Sequence, residues 1–311
     1  MSTLIELFTN IADAIRTKKG TTDKIKASDF PIEIRNLPSG GGSDYNTIMD
    51  VNGLSTNAST SSSSYVLNKL IKKAPNIDTS GWTSTAYMFY KCSKLEEIPI
   101  LDTSKVTNMN YMFAECDSLS KINLNGLDTS SVTSMQGMFN NCPRLEEIDI
   151  SNLDISKVTT LNSMFNYCIA LSNIVWRNFD TSSATDITQM FANTQLTDIP
   201  KLNGVKITTL RNAFNGCSTL KNFEGIEDLG KAYTQKTENY YTYKFGLTSC
   251  TALTHESLIN IINKLYDLNL TYDVANGGTL YGQTLEIGAS NLLKLTEEEI
   301  AIATSKGWNV S

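Results

Sequence analysis

The sequence predicts an α/β protein in which short parallel strands and short helices stack as a solenoid, preceded by a small helical N-terminal module. Three observations lead to this prediction. A linked set of phrases recurs about every 26 residues, apolar residues within each copy have helix or strand spacing, and a glycine-rich linker lies near the N-terminus. A unit too small to bury its own apolar side has to stack on its neighbours.

The repeat is centred on a Met-Phe pair. Five copies of the pair follow one another at steps of 24, 26, 26 and 26 residues, and a sixth copy has alanine in place of methionine. Most copies are preceded by Asp-Thr-Ser-x-Val-Thr and followed by Cys-x-x-Leu-x-x-Ile. Because the phrases keep their order, the pattern indicates a repeat architecture. The pairs are Met88-Phe89, Met112-Phe113, Met138-Phe139, Met164-Phe165, Met190-Phe191 and Ala213-Phe214.

Each phrase predicts one element of the unit. The Asp-Thr-Ser phrase predicts a turn, since short polar side chains hydrogen-bond to nearby backbone amides. From Val106 to Phe113 the apolar residues are spaced along one face of a short helix. Leu119, Ile122 and Leu124 suit a short strand with one buried face. Parallel pairing of such strands would give a right-handed solenoid of the leucine-rich type over residues 77–253.

Residues 77–253 resemble BspA-like leucine-rich repeats, which occur in bacterial surface proteins and in bacteriophage and prophage proteins. The resemblance rests on the Asp-Thr-Ser, Met-Phe and Cys-x-x-Leu phrases, and it covers more than half of the chain. It implies a leucine-rich-repeat solenoid that serves binding and adhesion and has no catalytic activity.

The cysteines form a column in the repeat, because all six, including Cys250, fit one position that only Thr194 interrupts. Strands about 4.8 Å apart would allow disulfides by distance alone. Side chains in register point the same way, however, which favours a buried column of thiols. The spacing of 24 to 26 residues also lacks the paired ligands of zinc sites. We therefore favour thiols and expect no metal site.

The repeated aspartates could also be ligands of a metal ion. One carboxylate per unit suggests calcium, but calcium takes six to eight oxygen ligands and the neighbouring residues offer only hydroxyl groups. Turn formation is the favoured interpretation. These residues are Asp102, Asp128, Asp154 and Asp180.

The N-terminal stretch predicts a separate helical module over residues 1–42. Its apolar residues have helical spacing, and a glycine-rich segment follows at residues 38–42. A module of this size cannot bury a core alone, so we expect it to pack on another chain, whereas a cap folded on the repeats is the alternative. The segment resembles a short N-terminal module of phage structural proteins, which implies attachment or assembly. The predicted assembly residues are Leu4, Leu7, Phe8, Ile11, Ile15, Phe30, Ile32 and Ile34.

The remaining segments are assigned to connection and capping. Residues 43–76 form a connector and N-terminal cap, and residues 254–311 form a C-terminal cap. The cap should contain a helix from Thr254 to Tyr266 and another that begins at Thr296 and stops at Gly307. Between the last two repeats a tyrosine-rich insertion, residues 233–245, suggests either a sugar-binding platform or a hairpin packed on the repeats; we favour the hairpin.

The composition excludes several classes of protein. A net charge of -6 argues against a nucleic-acid or anionic-membrane surface, and no stretch is apolar enough to span a membrane. The single histidine, His255, argues against histidine-based triads, and none of the G-x-S-x-G, H-E-x-x-H and P-loop motifs is present. A glycosidase or depolymerase is the enzymatic alternative. We expect no enzyme activity and no cofactor.

Together these observations predict a bacteriophage virion protein, a tail fibre or receptor-binding fibre, made in the host cytoplasm without a signal peptide and released by lysis. The alternatives are a bacterial cell-surface adhesin and a capsid decoration (head fibre) protein. Expected partners are other virion proteins, a host cell-surface protein or glycan, and further copies of the chain, as a trimer. We expect no nucleic-acid partner and no membrane insertion. The predicted binding residues are Glu97, Lys121, Glu147, Asn173 and Asp198 in one row, and Pro99, Asn123, Asp149, Val175 and Pro200 in the next.

Overall fold

The computed structural model describes residues 79–92, 95, 98, 101–177, 179–231, 244–270 and 283–311. The predicted module at residues 1–42, with all its assembly residues, and the connector at residues 43–76 lie outside these ranges, as do Tyr233, Tyr240, Tyr241 and Tyr243 of the insertion. The sequence predictions for these segments therefore stay predictions.

The described part of the chain is a mixed α/β protein with short strands and few helices. The strands are β1 (Glu147–Asp149), β2 (Asn173–Val175), β3 (Asp198–Ile199), β4 (Leu202–Asn203), β5 (Asn222–Phe223), β6 (Ile226–Glu227), β7 (Lys244–Gly246), β8 (Gln283–Glu286) and β9 (Trp308–Val310). The α-helices are α1 (His255–Lys264), α2 (Ala289–Leu292) and α3 (Glu297–Ser305), and a 3-10 helix spans Leu268–Leu270.

All strand pairs of the described residues are parallel, and those among β1 to β6 join equivalent positions of successive repeats. β1 pairs with β2, β3 with β5, and β4 with β6. In the first pair Ile148 faces Ile174, and both side chains are buried while their neighbours in the strand are exposed. A second column of single parallel bridges runs through all six repeats and connects Ser84, Asn108, Ser134, Thr160, Asp186 and Thr209.

The predicted strand over Leu119–Leu124 is wrong, because these residues do not form a regular strand. The burial pattern is nevertheless as expected, with Leu119 and Leu124 buried. One ladder bond reaches this segment from the following repeat, where the Glu146 amide donates to the Ser120 carbonyl at 3.2 Å. This single bond holds the segment beside β1 without the continuous pairing that defines a strand.

The predicted helix from Val106 to Phe113 is also wrong, because this segment folds as consecutive turns. The Met112 amide bonds to the Met109 carbonyl three residues back, and Tyr111 between them has a φ of 55°. A positive φ at the third position is what a type II turn requires. A left-handed residue also interrupts the helix, so the apolar spacing here marks side chains that point inward from turns.

Every repeat has two such left-handed residues, four positions apart. Twelve positions in six repeats share this conformation, with φ between 54° and 76°. Glycine holds two of them and larger residues hold the other ten, at a cost of order 1 kcal/mol each. The pairs are Tyr87 and Lys91, Tyr111 and Glu115, Gly137 and Asn141, Ser163 and Tyr167, Gln189 and Asn193, and Asn212 and Gly216.

Hydrogen bonds to the next repeat hold these turns in place. The Tyr111 amide donates to the Gln136 carbonyl at 2.8 Å, and the Phe113 amide donates to the Met138 carbonyl at 2.9 Å. The Glu115 amide continues the series to Asn140 at 2.8 Å. Alternate amides of each turn segment therefore bond to the neighbouring repeat rather than within the segment.

The core is a stack of phenylalanine rings between the turns and the strands. Rings of successive repeats are 5.3 to 6.1 Å apart between centroids, and most are within 8° of parallel. Offset stacking of this kind adds about 0.5–1.5 kcal/mol per pair beyond the burial of apolar area. The stack contains Phe89, Phe113, Phe139, Phe165, Phe191 and Phe214, all fully buried.

The Asp-Thr-Ser phrase forms the predicted turn and also joins the repeats. In Asp102 the side-chain oxygen accepts hydrogen bonds from the Ser104 amide at 3.1 Å and the Ser104 hydroxyl at 2.7 Å. The buried Thr103 hydroxyl donates to the Asp128 carbonyl and accepts from the Asp128 amide, both at 2.8 Å. The aspartate therefore stabilises the turn, and the threonine connects it by hydrogen bonds to the turn of the next repeat.

The C-terminal region contains the two predicted helices and a sheet that the sequence did not predict. Thr254 caps α1, which ends at Lys264 rather than Tyr266, and Thr296 forms a capping box with Glu299 at the start of α3. The unpredicted sheet has the order β7-β8-β9 and is parallel. It buries Phe245 and Trp308 and closes this end of the core.

The Thr103 bridge gives a direct test of the stacking bonds. We expect Thr103→Val to lower the free energy of unfolding by about 1–3 kcal/mol, because valine keeps the shape but leaves the Asp128 amide and carbonyl without their hydroxyl partner. Urea denaturation measures the loss. Thr107→Val is the matched control, since the Thr107 hydroxyl is exposed and its bond to the Thr83 carbonyl is 3.3 Å long. Equal losses in the two variants would contradict the assigned role.

Candidate functional site

Eight of the ten predicted binding residues are described, and they lie on one outward face along the strands, which we call the strand face. Glu97 and Pro99 are outside the described residues, and Pro200 is half-buried. The other seven side chains are exposed: Lys121, Asn123, Glu147, Asp149, Asn173, Val175 and Asp198. The structure thus places these residues on a common surface, with buried residues between them.

Polar contacts run along the strand face from one repeat to the next. The Lys121 ammonium is 2.5 Å from Glu147, and this ion pair raises the lysine pKa. The Asn222 amide donates to Asp198 at 2.6 Å, and hydrogen bonds from Thr197 and Asn222 lower the pKa of Asp198. Exposed pairs of this kind contribute at most about 1 kcal/mol to stability. The face is chemically a charged, hydrated surface with a side chain about every 4.8 Å.

The exposed residues of the strand face change in charge and polarity from repeat to repeat, while the positions buried between them stay apolar. Asp149 is directly opposite Val175 in the register, and Glu147 is opposite Asn173. Ile148 and Ile174 remain buried between them. The face is therefore able to vary without loss of the core.

The turns present a second outward face that sequence reasoning missed. It includes Tyr87, whose side chain is 40% exposed, stacked on Tyr111 with 5.0 Å between ring centroids. The signal was present in the sequence, because tyrosine directly precedes Met-Phe in two consecutive repeats. We call the surface made by the left-handed residues and the residues just before them the turn face.

The cysteine column consists of buried thiols, as the favoured interpretation predicts. The thiols donate to the phenylalanine carbonyl of the preceding repeat. Cys116 reaches Phe89 at 3.1 Å, and Cys142 reaches Phe113 at 3.1 Å. Thr194 departs from the pattern in the interrupted repeat, since its hydroxyl donates to the Phe191 carbonyl of its own repeat at 2.8 Å.

The thiols of this column are poor nucleophiles. Burial raises the pKa of the Cys92, Cys142, Cys217 and Cys250 thiols above the ordinary range. The pKa of Cys116 is also raised, first by its hydrogen bond with Cys142 and then by burial. Because the thiolate is the reactive form, the column serves packing rather than chemistry.

The aspartate column has the predicted turn geometry. Hydrogen bonds from the serine two residues later lower the pKa of Asp102, Asp128 and Asp154. Across the residues that the structure describes, no group of three or more histidine, cysteine, aspartate or glutamate side chains is placed to hold a metal ion.

The C-terminal region contributes one further polar contact. The exposed His255 ring nitrogen is 2.8 Å from Glu299, which joins the start of α1 to the start of α3. Of the insertion, Phe245 is fully buried in β7. None of the helices in the described ranges is long and apolar enough to cross a membrane.

These features define a mixed α/β repeat protein whose outward faces are polar and whose core is repeated. The chain belongs to the family described as "Mycoplasma protein of unknown function, DUF285", which is associated with BspA-like repeat proteins. The family model matches residues 59–173, 83–199 and 143–242, which together cover more than half of the chain. No curated protein and no solved structure matches the chain.

The thiol column predicts the chemical behaviour of the native protein. We expect its six thiols to react with Ellman's reagent only as fast as the protein unfolds, so that the rate stays nearly constant between pH 7 and 9. A denatured sample should show all six thiols. Ser218→Cys, at an exposed position, is the control and should add one thiol that reacts at once. Rapid reaction of the native wild-type thiols would contradict their burial.

Proposed function

We propose that this chain is a bacteriophage virion protein, a tail fibre or receptor-binding fibre that contacts the host surface through a leucine-rich-repeat solenoid. The observation that carries the proposal is the strand face, where exposed residues vary in charge and polarity over buried residues that stay apolar. A recognition surface has to change with its partner, and this arrangement separates the residues that change from those that hold the fold.

The proposal gives each segment a role. Residues 1–42 attach the protein to other virion proteins and assemble copies of the chain, as a trimer, and the repeats project outward. The strand face binds a host cell-surface protein or glycan. Its acidic and amide side chains support a polar ligand, and the net charge of -6 supports a partner other than nucleic acid. The location is the virion, and the protein binds without catalysis.

A second candidate is a bacterial cell-surface adhesin, and the family description favours it because it refers to proteins of a cellular organism. The same strand face would then serve attachment of one cell to another surface. A capsid decoration protein differs from the leading proposal only in where residues 1–42 dock.

Substitutions on the strand face test the binding role. We expect the double variant Asn173→Arg, Val175→Arg to lose at least about tenfold in affinity for host cells, because two long cations in adjacent exposed positions of β2 disrupt a complementary surface. Flow cytometry with labelled full-length protein measures binding. The control variant Ile169→Arg, Ser218→Arg adds the same charge at exposed positions away from the strands. Equal loss in both, or in neither, argues against the strand face as the contact surface.

Deletion of residues 1–42 distinguishes the virion from the cell-surface location. We expect an epitope-tagged full chain to label intact phage particles in immunogold electron microscopy, and the deletion variant to be absent from particles while still present in the lysate. The linker at residues 38–42 gives the deletion a natural boundary. Label on the surface of uninfected cells, with none on particles, would favour the adhesin.

A further inference from the structure

The turn face differs in chemistry from the strand face. Of the 24 positions that define it in six repeats, five are buried, and the other 19 hold nine amide side chains, four tyrosines and only three charged residues. Five of the ten predicted strand-face residues are charged. Amide and phenol groups donate and accept hydrogen bonds without net charge, which suits a ligand rich in hydroxyl groups.

Three tyrosines gather at one end of this face. The Tyr87 and Tyr111 rings are within 17° of parallel, and the Tyr90 ring meets Tyr87 edge-on at 5.5 Å. Gly137 of the following repeat makes room for the Tyr111 ring, because a Cβ there would lie 2.3 Å from the ring edge. The absence of a side chain in one repeat thus lets the aromatic cluster lie flat along the stack.

Polar groups surround the rings. The Gln136 amide nitrogen donates to the Tyr111 hydroxyl at 3.0 Å, and the Tyr90 hydroxyl donates to Glu115. Among the described residues the hydroxyl protons of Tyr87 and Tyr111 have no acceptor, so both remain available as donors.

The charges beside the cluster cancel. The Lys91 ammonium is 3.3 Å from Glu115 and also lies 4.9 Å from the centre of the Tyr90 ring. The lysine is therefore engaged by a carboxylate and is not free to bind an anion. A sialylated or sulfated ligand would meet no uncompensated positive charge here.

We propose that Tyr87, Tyr90 and Tyr111, with Gln136 and Glu115, form a binding site for a neutral saccharide. The exposed ring of Tyr87 stacks on the C–H face of a pyranose, and the free phenol protons and the Glu115 carboxylate bond to its hydroxyl groups. The site lies on a different surface from the strand face, so it goes beyond the proposed function and does not depend on where the protein is displayed.

Isothermal titration of the full chain with defined oligosaccharides tests the proposal. The neutral probes are cellohexaose, maltohexaose and chitohexaose, and the anionic probes are sialyllactose and a heparin hexasaccharide. We expect saturable binding of at least one neutral probe and none of the anionic ones. Tyr87→Ala should weaken that binding about tenfold or more, as loss of a stacking ring does elsewhere.

Two further variants separate stacking from folding. Tyr87→Phe keeps the ring and removes one donor, so we expect a loss of about threefold, smaller than that of Tyr87→Ala. Tyr167→Ala, which removes an exposed tyrosine outside the cluster, is the control and should bind like the wild type, and thermal melting verifies that all variants fold. Failure of every neutral probe to saturate, preference for an anionic probe, or equal affinity of Tyr87→Ala and wild type would overturn the proposal. Cell binding through the strand face would be unaffected by any of these results.

Discussion

The structure depends on hydrogen bonds that leave each turn segment and end on the next repeat. The amides of Tyr111, Phe113 and Glu115 all donate to carbonyls about 25 residues later. These bonds hold two left-handed residues in each of the six repeats. Ten of these twelve residues are not glycine. Each would relax to a commoner conformation in isolation, at a gain of order 1 kcal/mol. One repeat therefore keeps its shape only because its neighbours are present.

This constraint explains which positions of the repeat are constant. The phenylalanine has to stack on its counterparts, the cysteine has to reach the carbonyl of the preceding phenylalanine, and the threonine after the aspartate has to fit between two turns. Each of these residues contacts an adjacent repeat, so a change in one copy also disturbs its neighbour. Outward side chains do not have to fit against an adjacent repeat in this way. The strand face and the turn face can therefore differ in charge, and the strand face carries the larger share of charged residues.

Much of this arrangement could be predicted from the sequence. The period, the buried set, the Asp-Thr-Ser turn and the caps Thr254 and Thr296 follow from spacing and local polar chemistry. The turns at Val106–Phe113 could not be distinguished from a helix by sequence, because inward-pointing turn residues and one face of a helix have nearly the same spacing. Gly137, Gly216 and three asparagines mark some of the left-handed positions, which tyrosine, lysine and glutamate conceal elsewhere. The sheet of β7, β8 and β9 depends on contacts between distant segments that no local pattern records.

Trans-hydrogen-bond scalar couplings measured by nuclear magnetic resonance test the bonds between repeats most directly. Correlations from the Phe113 nitrogen to the Met138 carbonyl carbon, and from the Tyr111 nitrogen to the Gln136 carbonyl carbon, are the predicted result. Correlations from Phe113 to the carbonyl carbon of Met109, four residues earlier, would show a helix in this segment and would contradict the stacking of turns described above.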